Sequence, residues 1–199
     1  MDESEIGQLE DFLAYLKERL MKDCSLVVFK VDDWNRELSP WDAPAVFGKD
    51  DFGHGAEETL FFVKNILIPY EKEKINAKEN IRIILGGYSL AGLFSLYCGY
   101  QTDDFYAIAA ASPSVWFQGW AEYIKDREFM AKRVYLSLGD KEDKSKNPLL
   151  RTVSDNIREQ YDSLCSRLSK ENCTLEWNEG NHFTDTTGRC VKGIIWCLR

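Results

Sequence analysis

Five short runs of apolar and β-branched residues recur along the chain, each ended by an Asp, Gly, Ser or Asn. Runs of this length and composition predict β-strands. They cover residues 25–31, 81–86, 105–111, 133–139 and 173–178. The second and third runs are almost wholly apolar, which is expected of parallel strands that are covered on both faces.

Patterns with the helical period alternate with these runs. The first has apolar side chains at spacings of three and four residues, at Leu9, Phe12, Leu13, Leu16 and Leu20. Further helices are predicted over residues 55–70, where Pro69 is expected to halt the helix, over 150–168 and at 193–198. This alternation predicts an α/β fold, with a mostly parallel central sheet of about five strands, helices on both faces and ligands bound at the carboxyl ends of the strands.

The chain of 199 residues has the length of one domain, and we expect a single domain over residues 1–199. One long irregular connection, residues 32–55, is rich in Asp, Pro, Gly and Trp. Long loops inside compact domains are usually functional or disordered, and the aromatic residues Trp34, Trp41 and Phe47 favour an ordered loop. We expect this loop to lie over the site.

The formal net charge of −8, without any run rich in Lys and Arg, argues against nucleic acid and anionic membranes as partners. Both of these partners are bound largely through cationic side chains. The opening residues are acidic and lack the apolar core of a secretory signal, and no apolar run is long enough to span a bilayer. We therefore expect a cytoplasmic protein.

The six cysteines include no CxxC pair, and a chain of this size builds a core without disulfides. We expect reduced thiols. The two histidines are far apart in sequence, and neither lies at ligand spacing from a cysteine pair, so no metal site is expected.

Candidate chemistry centres on GGYSLAG, residues 86–92, between an apolar strand and an apolar stretch with helical spacing. This context is the one that a nucleophile elbow requires, a sharp turn that presents a serine hydroxyl at the edge of the sheet. The residues two before and two after Ser89 must then be small, and Gly87 and Ala91 are. The Leu90 N–H, at the start of the following helix, is the candidate oxyanion donor. A purely structural tight turn is the alternative.

A serine hydroxyl is a poor nucleophile until a base accepts its proton, so this hypothesis requires a histidine downstream. His182 meets that requirement, in a Gly/Asn loop after the last predicted strand. The acid is expected after the preceding strand, where Asp140, Glu142 and Asp143 are found. We favour Glu142, with Asp140 as the alternative and Asp143 third. The chain order of serine, acid and histidine is that of α/β-hydrolases.

Together these segments resemble the putative-esterase branch of the α/β-hydrolases, which includes enterochelin esterases and S-formylglutathione hydrolases. The resemblance covers most of residues 25–198 and rests on ILGGYSLAGLFSLY, FYAIAAASPSVWF, VYLSLGDKED and GNHF. The NRELSPW segment, residues 35–41, also looks like a loop of the enterochelin-esterase-like members. The resemblance implies an esterase fold and a relay of Ser89, His182 and an acid, and that acid often stands where Glu142 does.

The start of the chain departs from that family. Its members carry a strand with the second oxyanion donor before the helix that would match residues 7–20, and this chain starts too late to contain it. We expect a pared-down domain or, preferably, a chain that starts at an internal methionine and lacks the early strands. The Asp32–Asn35 backbone would then have to supply the second donor, and esterase activity would be weak. An uncovered sheet edge beside residues 25–31 would favour association of copies into a homo-oligomer.

Four further side chains are candidates for substrate binding: Trp34, Arg36, Trp41 and Trp116. The tryptophans are suited to lining an acyl or aromatic pocket, although core or loop packing explains each of them equally well. Arg36 is suited to an anionic group of a substrate, although a local ion pair with Asp33 or Glu37 is the alternative.

These inferences favour a serine esterase that cleaves a small-molecule ester or thioester through an acyl-enzyme, with neither a metal nor an organic cofactor. One alternative is an acyltransferase on the same fold, in which an alcohol replaces water. The other is a catalytically weak, hydrolase-like binding protein whose triad is not assembled.

Overall fold

A computed structural model of the chain describes residues 9–19, 24–77 and 81–199. Its strands are β1 (Ile84–Tyr88), β2 (Ala107–Ala111), β3 (Arg133–Gly139) and β4 (Cys173–Asn178). Its α-helices are α1 (Leu9–Arg19), α2 (Trp34–Glu37), α3 (Ala56–Phe62), α4 (Ile68–Lys74), α5 (Leu90–Gln101), α6 (Trp120–Ile124), α7 (Val153–Cys165) and α8 (Thr186–Leu198). Strands and helices alternate from β1 onwards, as the sequence predicts.

The four strands form one parallel sheet in the order β1-β2-β3-β4. Alternate side chains of β2 point to opposite faces. Ile108 and Ala110 lie in the larger core, together with residues of α5 and α7. Ala107 and Ala109 lie in a smaller cluster with Cys197 of α8, and α1 packs against the outside of α8. The sheet is therefore covered on both faces, which explains why β2 is apolar at every position.

The first predicted strand is not part of the sheet. Residues 25–31 have no regular secondary structure, and no strand in the described part of the chain pairs with them. A β-strand needs the backbone donors and acceptors of a neighbour, so an apolar pattern alone does not form one. Phe29 and Val31 instead contribute side chains to the larger core. The sheet thus has four strands, where the sequence predicted about five.

The edge of β1 that faces away from β2 also has no strand beside it among the described residues. Association of copies through an uncovered edge therefore stays a prediction.

The second predicted helix runs through Pro69, so the expectation that this proline halts it is wrong. A π-helical turn, Val63–Leu67, joins α3 to α4, and in it the N–H of Ile68 bonds the carbonyl of Val63. The wider turn leaves Pro69 in the first turn of α4. A proline inside a continuous helix removes one hydrogen bond and crowds the carbonyl four residues earlier, and the π turn directly before Pro69 widens the backbone at that point.

The connection of residues 32–55 contains α2 and a single antiparallel bridge between Ala43 and Phe52. Two long-range hydrogen bonds attach it to loops that follow β2 and β3. Trp41 Nε1 donates to the carbonyl of Gln118 at 2.8 Å, and Asn147 Nδ2 donates to the carbonyl of Val46 at 2.9 Å. These contacts fix the connection at the carboxyl end of the sheet.

Within the described ranges, none of the helices is long and apolar enough to cross a membrane.

Gln160 of α7 makes a buried polar bridge in the core. Its Oε1 accepts the indole N–H of Trp120 at 2.8 Å, and its Nε2 donates to the hydroxyl of Tyr100 at 2.9 Å. All three side chains are buried. The bridge therefore satisfies a donor and an acceptor that water cannot reach.

We predict that Gln160→Leu, which keeps the volume and removes both hydrogen bonds, destabilises the fold by about 2 kcal/mol or more. The reason is that the Trp120 N–H and the Tyr100 oxygen lose their partners inside the core. Gln101→Leu is the matched control, because Gln101 is exposed and donates to Tyr123 at the surface; it should stay within about 0.5 kcal/mol of the parent. Urea unfolding of the three proteins measures both changes, and equal stabilities would contradict the argument.

Candidate active site

Ser89 stands between the end of β1 and the start of α5, in a backbone conformation that non-glycine residues rarely adopt. Its φ is 57° and its ψ is −120°. Such a conformation costs on the order of 1–3 kcal/mol and persists only where the surroundings impose it. A Cβ at Gly87 would lie 2.4 Å from the carbonyl oxygen of Ala91, so the tight turn requires glycine there.

The end of β2 holds this turn in place. The N–H of Ser89 donates to the carbonyl of Ala111 at 3.1 Å, and the N–H of Ser114 donates to the carbonyl of Ser89 at 3.1 Å. The hydroxyl of Ser114 lies 3.4 Å from that of Ser89. The ASPS segment of the sequence thus packs directly against the turn.

His182 reaches Ser89 from the loop between β4 and α8. Its Nε2 lies 3.0 Å from Ser89 Oγ, and its Nδ1 lies 2.7 Å from Glu142 Oε2. The hydroxyl of Tyr88 donates to the carbonyl of His182 at 2.6 Å, which fixes the backbone under the imidazole. The chain's other histidine, His54, bonds Asp42 in the 32–55 connection.

Glu142 is the carboxylate that contacts His182, and its side chain is only 4% exposed. Its other oxygen, Oε1, accepts hydrogen bonds from the Gly139 N–H at 2.7 Å, from Ser112 Oγ at 2.8 Å and from Arg189 Nη1 at 2.8 Å. Burial disfavours the charged form, but the hydrogen bonds from His182, Gly139 and Ser112 outweigh it and hold the pKa of Glu142 below its usual range. The carboxylate is therefore charged at neutral pH.

The other two candidate acids lie elsewhere. Asp140 Oδ1 accepts the N–H of Gly180 at 2.8 Å, which links the loops that follow β3 and β4. Asp143 pairs with its neighbour Lys144 at 3.1 Å. Neither forms a hydrogen bond or ion pair with His182, and all of these residues lie in the described part of the chain.

Two polar residues that contact Glu142, Arg189 and Ser112, are not among the site residues predicted from the sequence. Ser112 lies in the ASPS segment, residues 111–114. This segment contributed to the family resemblance, but the resemblance did not assign a role to either of its serines. Arg189 carried a signal of its own, because it shares one face of α8 with Gly193 and Cys197, four and eight residues later. A cation on an otherwise apolar helix face must find a buried anion.

The Leu90 N–H is the donor best placed for an oxyanion at Ser89. Leu90 is the first residue of α5, so its N–H belongs to the first turn and has no acceptor within the helix. In the Asp32–Asn35 segment, the N–H of Asp33 donates to Glu37 Oε1 at 3.0 Å. That donor is therefore already engaged.

The four candidates for substrate binding have different surroundings. Trp34 is half-buried against the larger core, and Trp41 stacks on Trp120 and bonds the Gln118 carbonyl. Arg36 is exposed and lies 3.7 Å from Glu58. Trp116 lines a cleft of about 210 Å³ at the carboxyl end of the sheet.

Comparison with known proteins identifies the family. The model of the Putative esterase family matches residues 3–174. The chain belongs to that family. The predictions of an α/β fold and of an esterase are therefore confirmed. A comparison with curated protein sequences found no match.

Solved structures with similar folds include three named hydrolases. The siderophore hydrolase EstA from Aspergillus nidulans has a TM-score of 0.65 at 23% identity, and the match covers 84% of this esterase and 68% of EstA. The enterobactin esterase FES from Shigella flexneri has a TM-score of 0.57 at 21% identity, and the match covers 71% of this chain and 38% of FES. An IroE-like serine hydrolase from Shewanella oneidensis has a TM-score of 0.63 at 18% identity, and the match covers 81% of this chain and 55% of that hydrolase. The esterase thus spans 38–68% of the length of these structures.

On the hypothesis that Glu142 orients His182 for catalysis, we predict that Glu142→Gln lowers kcat about a thousandfold or more, because an amide would not hold the imidazole in the tautomer that accepts the serine proton. Asp140→Asn keeps an oxygen for the Gly180 N–H, and Asp143→Asn changes only the pair with the neighbouring Lys144, so both should stay within about tenfold of the parent. Hydrolysis of p-nitrophenyl acetate by the three variants provides the comparison. A loss of turnover confined to Asp140→Asn would assign the acid to Asp140.

Proposed function

We propose that the esterase is a serine hydrolase, with Ser89 as nucleophile, His182 as general base and Glu142 as the carboxylate that orients His182. The observation that carries the proposal is the continuous hydrogen-bonded path from Ser89 Oγ through His182 to Glu142 Oε2, at 3.0 and 2.7 Å. A hydroxyl within hydrogen-bond reach of an imidazole that a carboxylate orients is the arrangement that nucleophilic serine catalysis needs.

In the proposed reaction, His182 Nε2 takes the proton of Ser89 as Oγ attacks the ester carbonyl. The N–H of Leu90 stabilises the oxyanion of the tetrahedral intermediate. His182 then donates the proton to the departing alcohol or thiol, and the carbonyl re-forms as an acyl-enzyme on Ser89. Water, deprotonated by His182, attacks the acyl carbonyl; the bond from the acyl carbon to Ser89 Oγ then breaks, His182 returns the proton to Oγ, and the carboxylic acid is released.

We predict that a fluorophosphonate probe forms a single adduct, on the peptide that contains Ser89, because the His182-paired serine is more nucleophilic than the others. Ser89→Ala should abolish the adduct. Ser95→Ala is the matched control, because Ser95 is a buried serine of α5 whose hydroxyl bonds the Ala91 carbonyl, and it should label like the parent. Mass spectrometry of the labelled peptides checks the site. Labelling that survives in Ser89→Ala would overturn the proposal.

The substrate's acyl group is proposed to bind in the cleft that Trp116 lines. Trp116 follows Ser114 by two residues, and Ser114 Oγ is 3.4 Å from Ser89 Oγ. The other lining residues are mainly apolar: Ala43, Pro44, Ala45, Val46, Phe52, Phe117, Gln118, Asn147 and Leu149. The volume of about 210 Å³ is smaller than that of pockets for drug-sized ligands. These features favour an uncharged, short acyl chain or a single ring.

We predict that Trp116→Ala shifts the preference among p-nitrophenyl esters towards longer acyl chains, because it enlarges the cleft. Trp177→Ala is the control, since Trp177 lies on β4 and stacks with Arg158 at the surface. The ratio of kcat/KM for octanoate to that for acetate should rise about tenfold or more in Trp116→Ala alone. Identical ratios in the two variants would exclude the cleft as the acyl site.

A further inference from the structure

Arg189 is a fully buried cation whose guanidinium faces the candidate site. Its Nη1 donates to Glu142 Oε1 at 2.8 Å and to Ser112 Oγ and the Tyr88 hydroxyl at 3.1 Å each. Buried arginine is rare unless it is paired, and removing one partner of a buried pair is strongly destabilising. The pair with Glu142 satisfies both charges at once.

The second amino group of Arg189 binds the loop that carries His182. Nη2 donates to the carbonyls of Glu179 and Asn181, at 3.1 Å each. A Cβ at Gly139, at the end of β3, would lie 2.8 Å from Nη2, so this glycine makes room for the guanidinium. The guanidinium of Arg189 therefore links the Glu142 carboxylate to the backbone carbonyls on either side of Gly180.

We propose that Arg189 is a positioning residue of this esterase, which holds Glu142 and the His182 loop in register and balances the charge of Glu142. The inference rests on the proposed function of Ser89, His182 and Glu142. With Oε1 bound to Arg189, the carboxylate keeps Oε2 directed at His182 Nδ1. With both carbonyls bound, the backbone beside His182 cannot drift away from Ser89.

The charge of Arg189 also sets the direction of a pH effect. The titratable groups facing Glu142 are His182, Arg189 and Tyr88. Burial raises the pKa of Tyr88 to about 12, so Tyr88 stays neutral in the working range. Without Arg189, the carboxylate of Glu142 loses the cation buried beside it, which raises the pKa of Glu142 from its depressed value, so Glu142 takes up a proton at higher pH. The acidic limb of the kcat/KM profile then moves to higher pH.

The experiment measures kcat, KM and the pH profile with p-nitrophenyl acetate for Arg189→Met and Arg189→Lys. In Arg189→Met, kcat should fall tenfold or more with KM within about twofold, and the acidic limb should rise by about half a pH unit or more. Arg189→Lys keeps the positive charge but loses the two amino groups that bind Glu142 and the His182 loop at once. We therefore expect kcat to fall while the acidic limb of the pH profile stays in place. Lys192→Met is the control, because this exposed cation of α8 binds Glu176 and Asn178 and should change neither quantity.

A double-mutant cycle covers the case in which Arg189→Met does not fold, because Glu142→Gln removes the unpaired buried charge. If the contact with Glu142 carries most of the effect of Arg189, the double variant should be no more than about threefold slower than Glu142→Gln alone, the remaining loss coming from the contacts with the Glu179 and Asn181 carbonyls. A further tenfold loss in the double variant, or a loss of kcat in Arg189→Met with an unmoved acidic limb, would overturn the proposal. Fluorophosphonate labelling of the parent separates the cases, because a parent that does not label refutes the serine mechanism itself.

Discussion

A buried negative charge is the constraint on which the site depends. The carboxylate of Glu142 is 4% exposed and surrounded by donors, and hydrogen bonds from His182, Gly139 and Ser112 hold its pKa below the usual range. These donors come from four elements: Gly139 from the end of β3, Ser112 from the end of β2, His182 from the loop after β4, and Arg189 from helix α8. One carboxylate thereby ties the strand ends together, and Arg189 extends the network to the backbone beside His182. The positions of these elements and the charge of Glu142 are therefore interdependent.

The parts of the fold that local physics determines were readable in the sequence. The alternation of apolar runs with helical periods predicted the parallel sheet, because strands covered on both faces must be apolar throughout. The turn at Ser89 was readable because its steric demands fall on adjacent positions, Gly87 and Ala91. The chain order of serine, acid and histidine then directed attention to His182 and to the carboxylates after β3, although their roles remain proposals.

The parts that were not readable depend on distant partners. Residues 25–31 have the composition of a strand, but forming one requires a neighbouring backbone that composition does not reveal. The sequence pattern predicted that Pro69 ends a helix. That prediction was wrong because the pattern carries no signal for the π turn that accommodates this proline. The choice of Glu142 over Asp140 relied on a family resemblance, since both carboxylates follow the same strand. Arg189 contacts Glu142 across 47 residues, and its only local signal was a cation on an apolar helix face.

The long sequence separations within the site have a consequence for synthesis of the protein. Ser89 and His182 are 93 residues apart, and α8, which carries Arg189, follows every strand of the described sheet. At about 5–20 residues per second, a ribosome needs roughly 5–20 s to pass from the serine to the histidine. During that interval the turn at Ser89 can form, since its strand and helix are contiguous, but neither His182 nor Arg189 has yet been synthesised. If Ser89, His182 and Glu142 have the roles proposed above, the nascent chain carries a serine without its general base until His182 has been translated, and without the arginine that positions Glu142 until α8 has been translated.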